Sequence, residues 1–249
     1  MTKILSALKR IFTAIAIVMF VLVTPLIGHR AHKHYIYDYK GSSVVRLTQS
    51  GSGGTGFRVI APSGKRYILT NYHVCMLGYT KGWLAAEDYR GYRYRLEIIE
   101  KYKKHDLCLV QDVPGIPALK LANNVLSHEQ VYLVGHPRLA NLTMESGSIV
   151  SRLTIQLVMP TPWFDKCVNG RAYKTPFDKE LFMTLGIKLC LRDFRAIHAN
   201  LISYGGNSGS PVLDDFGNVI GVLFAGSPRA VTATFLVPLE HIKMFLHNK

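Results

Sequence analysis

The sequence predicts an all-β folded body, and three observations support this class. From Ser43 onward, short runs of β-branched and aromatic residues alternate with Gly, Pro and Asn turns, a spacing typical of antiparallel sandwiches and barrels. No helical pattern interrupts these runs before the C-terminus. A chain of 249 residues with 48% hydrophobic and 18% charged residues can bury a core, which excludes a disordered or low-complexity protein.

Residues 1–28 are predicted to be an export or anchoring segment. Basic side chains in the first ten residues precede an uncharged apolar run over 11–28, which as a helix reaches roughly 27 Å, enough to cross the core of a bilayer. A removable signal peptide should end in small residues, yet Leu26 or His29 stands at position −3 of the available cleavage sites. We therefore expect a retained hydrophobic helix that anchors the body to a membrane, outside the cytoplasm. Secretion after signal cleavage and a buried soluble helix are the alternatives.

Residues 29–42 form a predicted linker. Their histidines, His29, His32 and His34, could bind a metal ion. We interpret the stretch instead as a basic flank at the membrane surface and expect no metal site. The formal charge of +14 favours anionic surfaces in general and does not name a partner.

The body, residues 43–249, divides into two halves of six candidate strands each. A Pro- and Gly-containing boundary near Asp112–Val125 separates a first half of about 43–115 from a second half of about 116–238. The last apolar residues fall largely on one face of a short helix over 239–248. The candidate strands are Val44–Thr48, Gly56–Ala61, Tyr67–Asn71, Trp83–Glu87, Tyr92–Glu100, Leu107–Gln111, Gln130–Gly135, Gly147–Leu157, Ala196–Ser203, Ser210–Leu213, Val219–Phe224 and Ala233–Val237.

The stretch between Leu157 and Ala196 fits neither half and is interpreted as an insertion that packs its aromatic residues against something. The four cysteines contain no Cys-x-x-Cys pair. We expect Cys75 and Cys108 to be thiols in the core. Cys167 and Cys190 lie in the insertion and are either bridged or free.

The strongest chemical signal is the run Gly205–Pro211, Gly-Gly-Asn-Ser-Gly-Ser-Pro, between two apolar strands. Glycines around a serine permit a tight turn in which consecutive N–H groups point at one spot, as an oxyanion requires. Ser208 is then the candidate nucleophile. The nucleophile elbow of α/β-hydrolases is excluded, because Ser210 replaces its last glycine and a strand follows. A glycine-rich turn with an incidental serine is the alternative.

Two further residues supply what a serine nucleophile needs. His73 is predicted at the end of an apolar strand, and imidazole is the usual base for a hydroxyl that is protonated at neutral pH. Asp106 heads the apolar run Leu107–Val110, and a buried carboxylate paired with an imidazole fixes the tautomer that activates serine. Taken singly, a histidine at such a position is more commonly a hydrogen-bonded core residue, and an aspartate before a strand is more commonly a turn residue.

The order His73, Asp106, Ser208 is that of chymotrypsin-like peptidases. With the flanking motifs Thr70–Val74, Asp106–Val110, Gly206–Pro211, Gly217–Gly221 and Phe235–Ile242, the chain from about 43 to 248 resembles a trypsin-like serine peptidase of the HtrA/DegP type. The resemblance implies two six-stranded antiparallel β-barrels with the triad in the cleft between them. It also implies an oxyanion hole made by the N–H groups of Gly206 and Ser208. We expect no PDZ domain.

The same resemblance places Ile202 at the base of a substrate pocket, with Tyr204 nearby and Phe224, Ala225 and Gly226 along its wall. None is charged, which predicts cleavage after small or medium apolar residues. Two departures stand out. Asn207 replaces the aspartate that pairs with a new N-terminus in digestive relatives, so no activation of that kind is expected. Phe224 replaces a serine that bonds to the catalytic aspartate in many relatives.

The sequence thus predicts a membrane-associated serine endopeptidase that acts on polypeptides without a cofactor. A catalytically weak, peptidase-like module that binds peptides at the membrane is the second hypothesis. The third is a basic adaptor for nucleic acid or lipid, suggested by Arg90, Arg93 and Arg95 interleaved with Tyr92 and Tyr94. We expect no nucleic-acid partner, because this run of arginines and tyrosines is explained more simply as the solvent-exposed face of a strand.

Overall fold

Two closed six-stranded antiparallel barrels form the body, as predicted. The computed structural model describes residue 28 and residues 31–160, 189–227 and 230–249. Barrel one has the strand order β1-β2-β3-β6-β5-β4, and barrel two has the order β10-β11-β12-β9-β8-β7. The strands are β1 (Val44–Gln49), β2 (Ser52–Ile60), β3 (Arg66–Thr70), β4 (Trp83–Glu87), β5 (Arg93–Tyr102), β6 (Leu107–Val110), β7 (Gln130–Gly135), β8 (Thr143–Pro160), β9 (Leu189–Asn200), β10 (Pro211–Leu213), β11 (Val219–Ser227) and β12 (Ala230–Pro238).

Side-chain alternation explains why these segments are strands. In β5, Leu96 points into barrel one while its neighbours Arg95 and Glu97 are exposed, as expected for a strand with one wet face. By contrast, every residue of β6 is buried. One apolar cluster joins both barrels and includes Phe57 and Leu109 from the first and Val222 from the second. The barrels are therefore packed together through an apolar interface, which fixes the cleft between them.

Residues 31–41 of the predicted linker are helical. Within them, α1 (Tyr35–Lys40) is a π-helix whose Ile36 is completely buried. The Tyr37 hydroxyl donates a 2.9 Å hydrogen bond to the carbonyl of Leu142. Sequence patterning missed this helix because most of its side chains are exposed and its contacts with the body are few, chiefly burial of Ile36 and the bond from Tyr37 to Leu142.

The predicted apolar helix over 1–28 lies outside the described residues, apart from Gly28. Across the part of the chain that the structure describes, no helix is both long and apolar enough to span a membrane.

Two α-helices flank the strands within the described residues, besides short 3₁₀ helices at Lys103–His105 and Pro137–Leu139. The short α2 (Tyr72–Met76) follows β3 directly, and α3 (Leu239–Leu246) is the predicted C-terminal helix. The latter buries Leu239, Ile242, Phe245 and Leu246 and packs on β11 and β12.

Both edges of the predicted insertion are β-strand in the structure. β8 and β9 pair as a long ribbon from Ser148 opposite Asn200 to Pro160 opposite Leu189. Pairing with β8 extends the strand that was predicted to begin at Ala196, so β9 also includes Leu189 to Arg195. Local sequence patterns do not show such pairing between distant segments. Residues 161–188 lie outside the described part of the chain.

The cysteine prediction is corrected in one respect. Cys75 and Cys108 are not free thiols but form a disulfide, with their Cα atoms 6.5 Å apart. They are 33 residues apart in sequence and meet only because α2 packs against β6. Cys167 lies outside the described residues, so its pairing with Cys190 stays a prediction.

Candidate active site

His73 and Asp106 form a doubly bonded pair at the edge of barrel one. The Nδ1 atom of His73 lies 2.8 Å from Oδ2 of Asp106, and the backbone N–H of His73 donates to Oδ1 at 2.9 Å. Asp106 is buried, with 6% of its surface exposed. With the carboxylate ionised, the ring proton resides on Nδ1 and Nε2 is the basic nitrogen.

The local backbone explains how each partner is positioned. His73 lies in α2 rather than at the end of a strand as predicted, because β3 ends at Thr70 and the helix begins at Tyr72. Asp106 adopts a left-handed conformation, with φ of 53°, which aspartate tolerates better than most residues. The Asn71 side chain donates a 3.0 Å hydrogen bond to the Asp106 carbonyl and braces this turn.

The Cys75–Cys108 disulfide lies two residues beyond each member of this pair. It therefore links the helix that carries His73 to the strand that follows Asp106.

Ser208 lies in a tight turn that glycines make possible. Gly206 and Gly209 have φ values of 93° and 87°, in the region that glycine favours. Asn207 N–H donates to the Tyr204 carbonyl at 3.1 Å, and Ser210 N–H donates to the Asn207 carbonyl at 3.0 Å. These bonds close the turn before β10.

The turn lies against the part of barrel one that carries His73. The carbonyl of Ser208 accepts a 2.7 Å hydrogen bond from Thr55 N–H in β2. A methyl group added at Gly54 would meet this same carbonyl at 2.7 Å and the side chain of Val74, the residue after His73, at 2.6 Å. Gly54 is thus the spacer that allows the serine turn and α2 to approach each other.

The backbone N–H groups of Gly206 and Ser208 are the two predicted oxyanion donors. Neither Gly206 N–H nor Ser208 N–H donates a hydrogen bond to any residue that the structure describes. The carbonyl of Gly205 accepts a 2.5 Å bond from Arg138 N–H. Because the peptide is trans, the N–H of Gly206 points away from that loop. Two neighbouring amides of this kind can receive an oxyanion.

Thr55 is a site residue that the sequence analysis missed. Its hydroxyl donates to the Gly206 carbonyl at 2.8 Å and accepts from His136 N–H at 3.1 Å. Its carbonyl accepts a 2.7 Å bond from the Thr70 hydroxyl. A buried threonine inside the glycine run 53–56 was the available signal, because a hydroxyl there must find partners.

The predicted pocket residues are brought to one region only in part. Ile202 is half-buried, and Gly226 lies beside Ser203, whose Oγ is 2.7 Å from where a Cβ would be. Tyr204 is 44% exposed, with the Arg138 guanidinium over its ring. Phe224 is buried against Phe194, with ring centroids 4.6 Å apart, so its side chain contributes to the core. Ala225 is half-buried.

The histidines of the basic flank have separate partners. His32 lies 3.6 Å from Asp215, and His34 contacts Asp38. His29 lies outside the described residues. Within residues 31–160, 189–227 and 230–249, no group of three or more metal-ligating side chains is found.

The double barrel with a histidine–aspartate pair at its cleft is the architecture of the chymotrypsin-like fold. Residues 54–222 match the trypsin-like peptidase domain family, so the chain belongs to that family, as predicted. A comparison with curated protein sequences finds no match.

Solved structures of proteases share the fold. Rv3671c from M. tuberculosis H37Rv, a serine-to-alanine mutant in an inactive form, is 19% identical with a TM-score of 0.61, covering 86% of this chain and 89% of its own. The serine endoprotease from Yersinia pestis is 15% identical with a TM-score of 0.61, covering 87% and 66%. Deg5 is 20% identical with a TM-score of 0.57, covering 86% and 91%. At these identities the likeness establishes the fold, which is that of HtrA/Deg-type serine proteases.

Proposed function

We propose that this chain is a serine endopeptidase in which Ser208 is the nucleophile, His73 the general base and acid, and Asp106 the residue that orients His73. The observation that carries the proposal is the pair of hydrogen bonds from His73 to one buried carboxylate. The Ser208 turn, bonded to Thr55 in the same barrel, supports it. The open amides of Gly206 and Ser208 supply the oxyanion hole.

The reaction has two halves. Ser208 Oγ attacks the carbonyl carbon of the scissile peptide while His73 Nε2 takes the hydroxyl proton. The carbonyl oxygen becomes an oxyanion facing the two amides. His73 then protonates the leaving amine, which departs and leaves an acyl ester on Ser208. Water enters, loses a proton to His73 and attacks the ester, releasing the acid and restoring the serine. Asp106 stays ionised and stabilises the imidazolium in both halves.

The substrate preference that we propose is a small or medium apolar residue before the scissile bond. Ile202, Ala225 and Gly226 are uncharged, so the expected pocket offers no carboxylate for a lysine or arginine side chain. The Arg138 guanidinium lies 4.9 Å from the centre of the Tyr204 ring, and if this pair borders the expected pocket it would narrow the entrance.

We also propose that residues 11–28 hold the peptidase at a membrane with its barrels outside the cytoplasm; release after signal cleavage is the alternative. The apolar run and its basic flank support anchoring. The Cys75–Cys108 disulfide supports the compartment, because such bonds persist in oxidising environments and are rare in the cytosol.

Labelling with phenylmethylsulfonyl fluoride tests the mechanism. The full chain should be modified at Ser208, and both Ser208→Ala and His73→Ala should abolish labelling and peptide cleavage. Ser63→Ala, at an exposed serine in the β2–β3 turn, is the matched control and should behave as the wild type. Cleavage-site profiling with a peptide library then reads the preference directly.

A peptide-binding module without turnover is the second candidate, because Phe224 carries no hydroxyl to support Asp106. It would bind library peptides without cleaving them. Folded wild-type protein that is neither labelled nor active would decide for it.

A further inference from the structure

A group of exposed aromatic side chains surrounds α1, on the face where the N-terminal segment enters the body. We call it the aromatic rim. Ile36 is the buried contact of α1, while the tyrosines on either side of it are exposed. The rim consists of Tyr35 (42% exposed), Tyr37 (37%), Tyr39 (58%), Tyr89 (55%), Tyr92 (61%) and Phe216 (77%).

Contacts on both flanks of α1 make the rim continuous. On one flank, Gly217 lies against the side chain of Lys40, which places Phe216 of the β10–β11 turn beside the end of the helix. On the other flank, Tyr37 and Tyr89 line one open cleft of about 360 Å³ between α1 and the β4–β5 turn. Tyr92 belongs to that same turn.

Cationic groups lie over the rings. The Lys40 ammonium is 5.4 Å from the centre of the Tyr35 ring and 5.6 Å from that of Tyr39. The Arg90 guanidinium is 5.0 Å from the Tyr92 ring and 5.5 Å from the Tyr89 ring. Tyrosine rings prefer the boundary between hydrocarbon and water, and a lysine or arginine side chain is attracted to an anionic leaflet.

Three aspartates on this face each contact an arginine or histidine side chain. Asp88 is buried and bonds to Arg90 at 2.6 Å. Asp38 contacts His34, and Asp215 lies near His32. The Asp88–Arg90 pair is neutral as a unit, whereas Asp38 and Asp215 are offset only when their histidine partners are protonated. Attraction to an anionic surface therefore rests on the +14 charge of the whole chain.

The position of the apolar segment in the sequence indicates that a lipid bilayer covers the aromatic rim. The uncharged run 11–28 ends just before the helical residues 31–41. The short connection reaches at most about 10 Å at 3.3–3.6 Å per residue. A bilayer that holds the segment therefore lies within reach of the rim.

We propose that the aromatic rim rests on the headgroup layer of an anionic phospholipid bilayer and so fixes the orientation of the barrels on the membrane. This rests on the proposed anchoring and is independent of the proposed catalysis. Tyrosines with cations over their rings fit this layer better than the dry apolar core of a protein interface.

The test uses the full chain in vesicles of brominated phosphatidylcholine and phosphatidylglycerol, 3:1. Tyr92→Trp and Phe216→Trp report from the rim. Tyr79→Trp is the matched control, because Tyr79 is 60% exposed and has the Lys101 ammonium 4.7 Å from its ring. It lies at the other end of β4, where Gly78 packs against Trp83. Tryptophan fluorescence is read as the difference from the wild-type chain in the same vesicles, and vesicle sedimentation is read in parallel.

We expect bromine quenching at positions 92 and 216 to be at least threefold stronger than at 79, and to weaken in vesicles without phosphatidylglycerol. Sedimentation with equal quenching at all three positions would overturn the rim and leave the anchor standing. Failure to sediment would overturn both. Binding of a labelled oligonucleotide that protects positions 92 and 216 in place of lipid would assign the face to nucleic acid instead. Sulfonyl fluoride labelling of Ser208 is measured separately, so loss of the peptidase proposal would not alter this result.

Discussion

Thr55→Val removes one oxygen from the contact between the barrels and preserves the shape of the side chain. That oxygen makes two hydrogen bonds, to the Gly206 carbonyl and from His136 N–H. Both are at the base of the turn that presents the Gly206 amide, and Thr55 itself is completely buried. Its hydroxyl is therefore a positioning group for the oxyanion hole and does not touch the substrate.

The magnitude follows from these two bonds. A typical intramolecular hydrogen bond contributes about 1 kcal/mol net, so their loss costs about 2 kcal/mol. If that cost falls on the turn in the transition state, the rate drops about 30-fold. The upper limit is loss of an oxyanion donor, which costs about 3 kcal/mol.

The assay is the rate of sulfonylation of Ser208 together with hydrolysis of a fluorogenic peptide substrate. The loss should appear in kcat, with KM little changed, because substrate contacts are retained. Thr55→Ser keeps the hydroxyl and should stay within about threefold of the wild type, a change of less than 1 kcal/mol. Thr48→Val, in the neighbouring strand β1, is the matched control and should have no effect. A folded Thr55→Val protein with the wild-type kcat would refute the reasoning.

Three further changes test the same architecture. Replacing both Cys75 and Cys108 by Ala should lower the free energy of unfolding by about 3–4 kcal/mol in urea titrations, because the bond closes a loop of 33 residues in the unfolded chain. Gly209→Ala should abolish labelling of Ser208 and destabilise the fold, since the left-handed backbone alone costs about 1–2 kcal/mol and the new methyl would overlap the Thr55 carbonyl. Burial holds the pKa of His136 below its usual 6.5, so the unfolded chain binds the proton first and the free energy of unfolding should fall as the pH drops below about 6.5.

Each of these has its own comparison. Dithiothreitol applied to the wild type should match the double cysteine variant, and an unchanged urea midpoint in both would contradict a structural role for the bond. Gly205→Ala faces open space, so it should fold and label normally. Equal effects at positions 205 and 209 would mean that backbone conformation is not what matters. His136→Gln should flatten part of the acid destabilisation measured between pH 7.5 and 5.5, and an unaltered slope would assign it to other groups.

Local patterns were sufficient where the structure is governed by alternation and turn chemistry. The continuous run of buried residues in β6 and the alternation of exposed and less exposed residues in β5 correspond to local sequence patterns. Such patterns predict both strands without information about the strands that pair with them. The glycines of Gly205–Pro211 gave the serine turn, because only they accept the required backbone angles. The pairing of His73 with Asp106 was predicted because a buried carboxylate needs a partner, and the structure contains this pair.

Contacts between distant segments lay beyond such patterns. The helix at 31–41 depends on one buried isoleucine and a tyrosine hydroxyl that reaches Leu142, so its sequence reads as a linker. The ribbon formed by β8 and β9 extends beyond both of the strands predicted there, because each strand supplies the hydrogen-bond partners of the other.

By itself, the sequence determined that the body is built of β-strands, that an apolar segment precedes it, and which imidazole, carboxylate and hydroxyl are candidates for catalysis, since these follow from residue type and nearest neighbours along the chain. Only the tertiary structure decided that Cys75 meets Cys108 and that Thr55 bonds to the turn of Ser208. Such contacts join groups that are far apart in the chain, and their formation depends on how the two barrels close and pack.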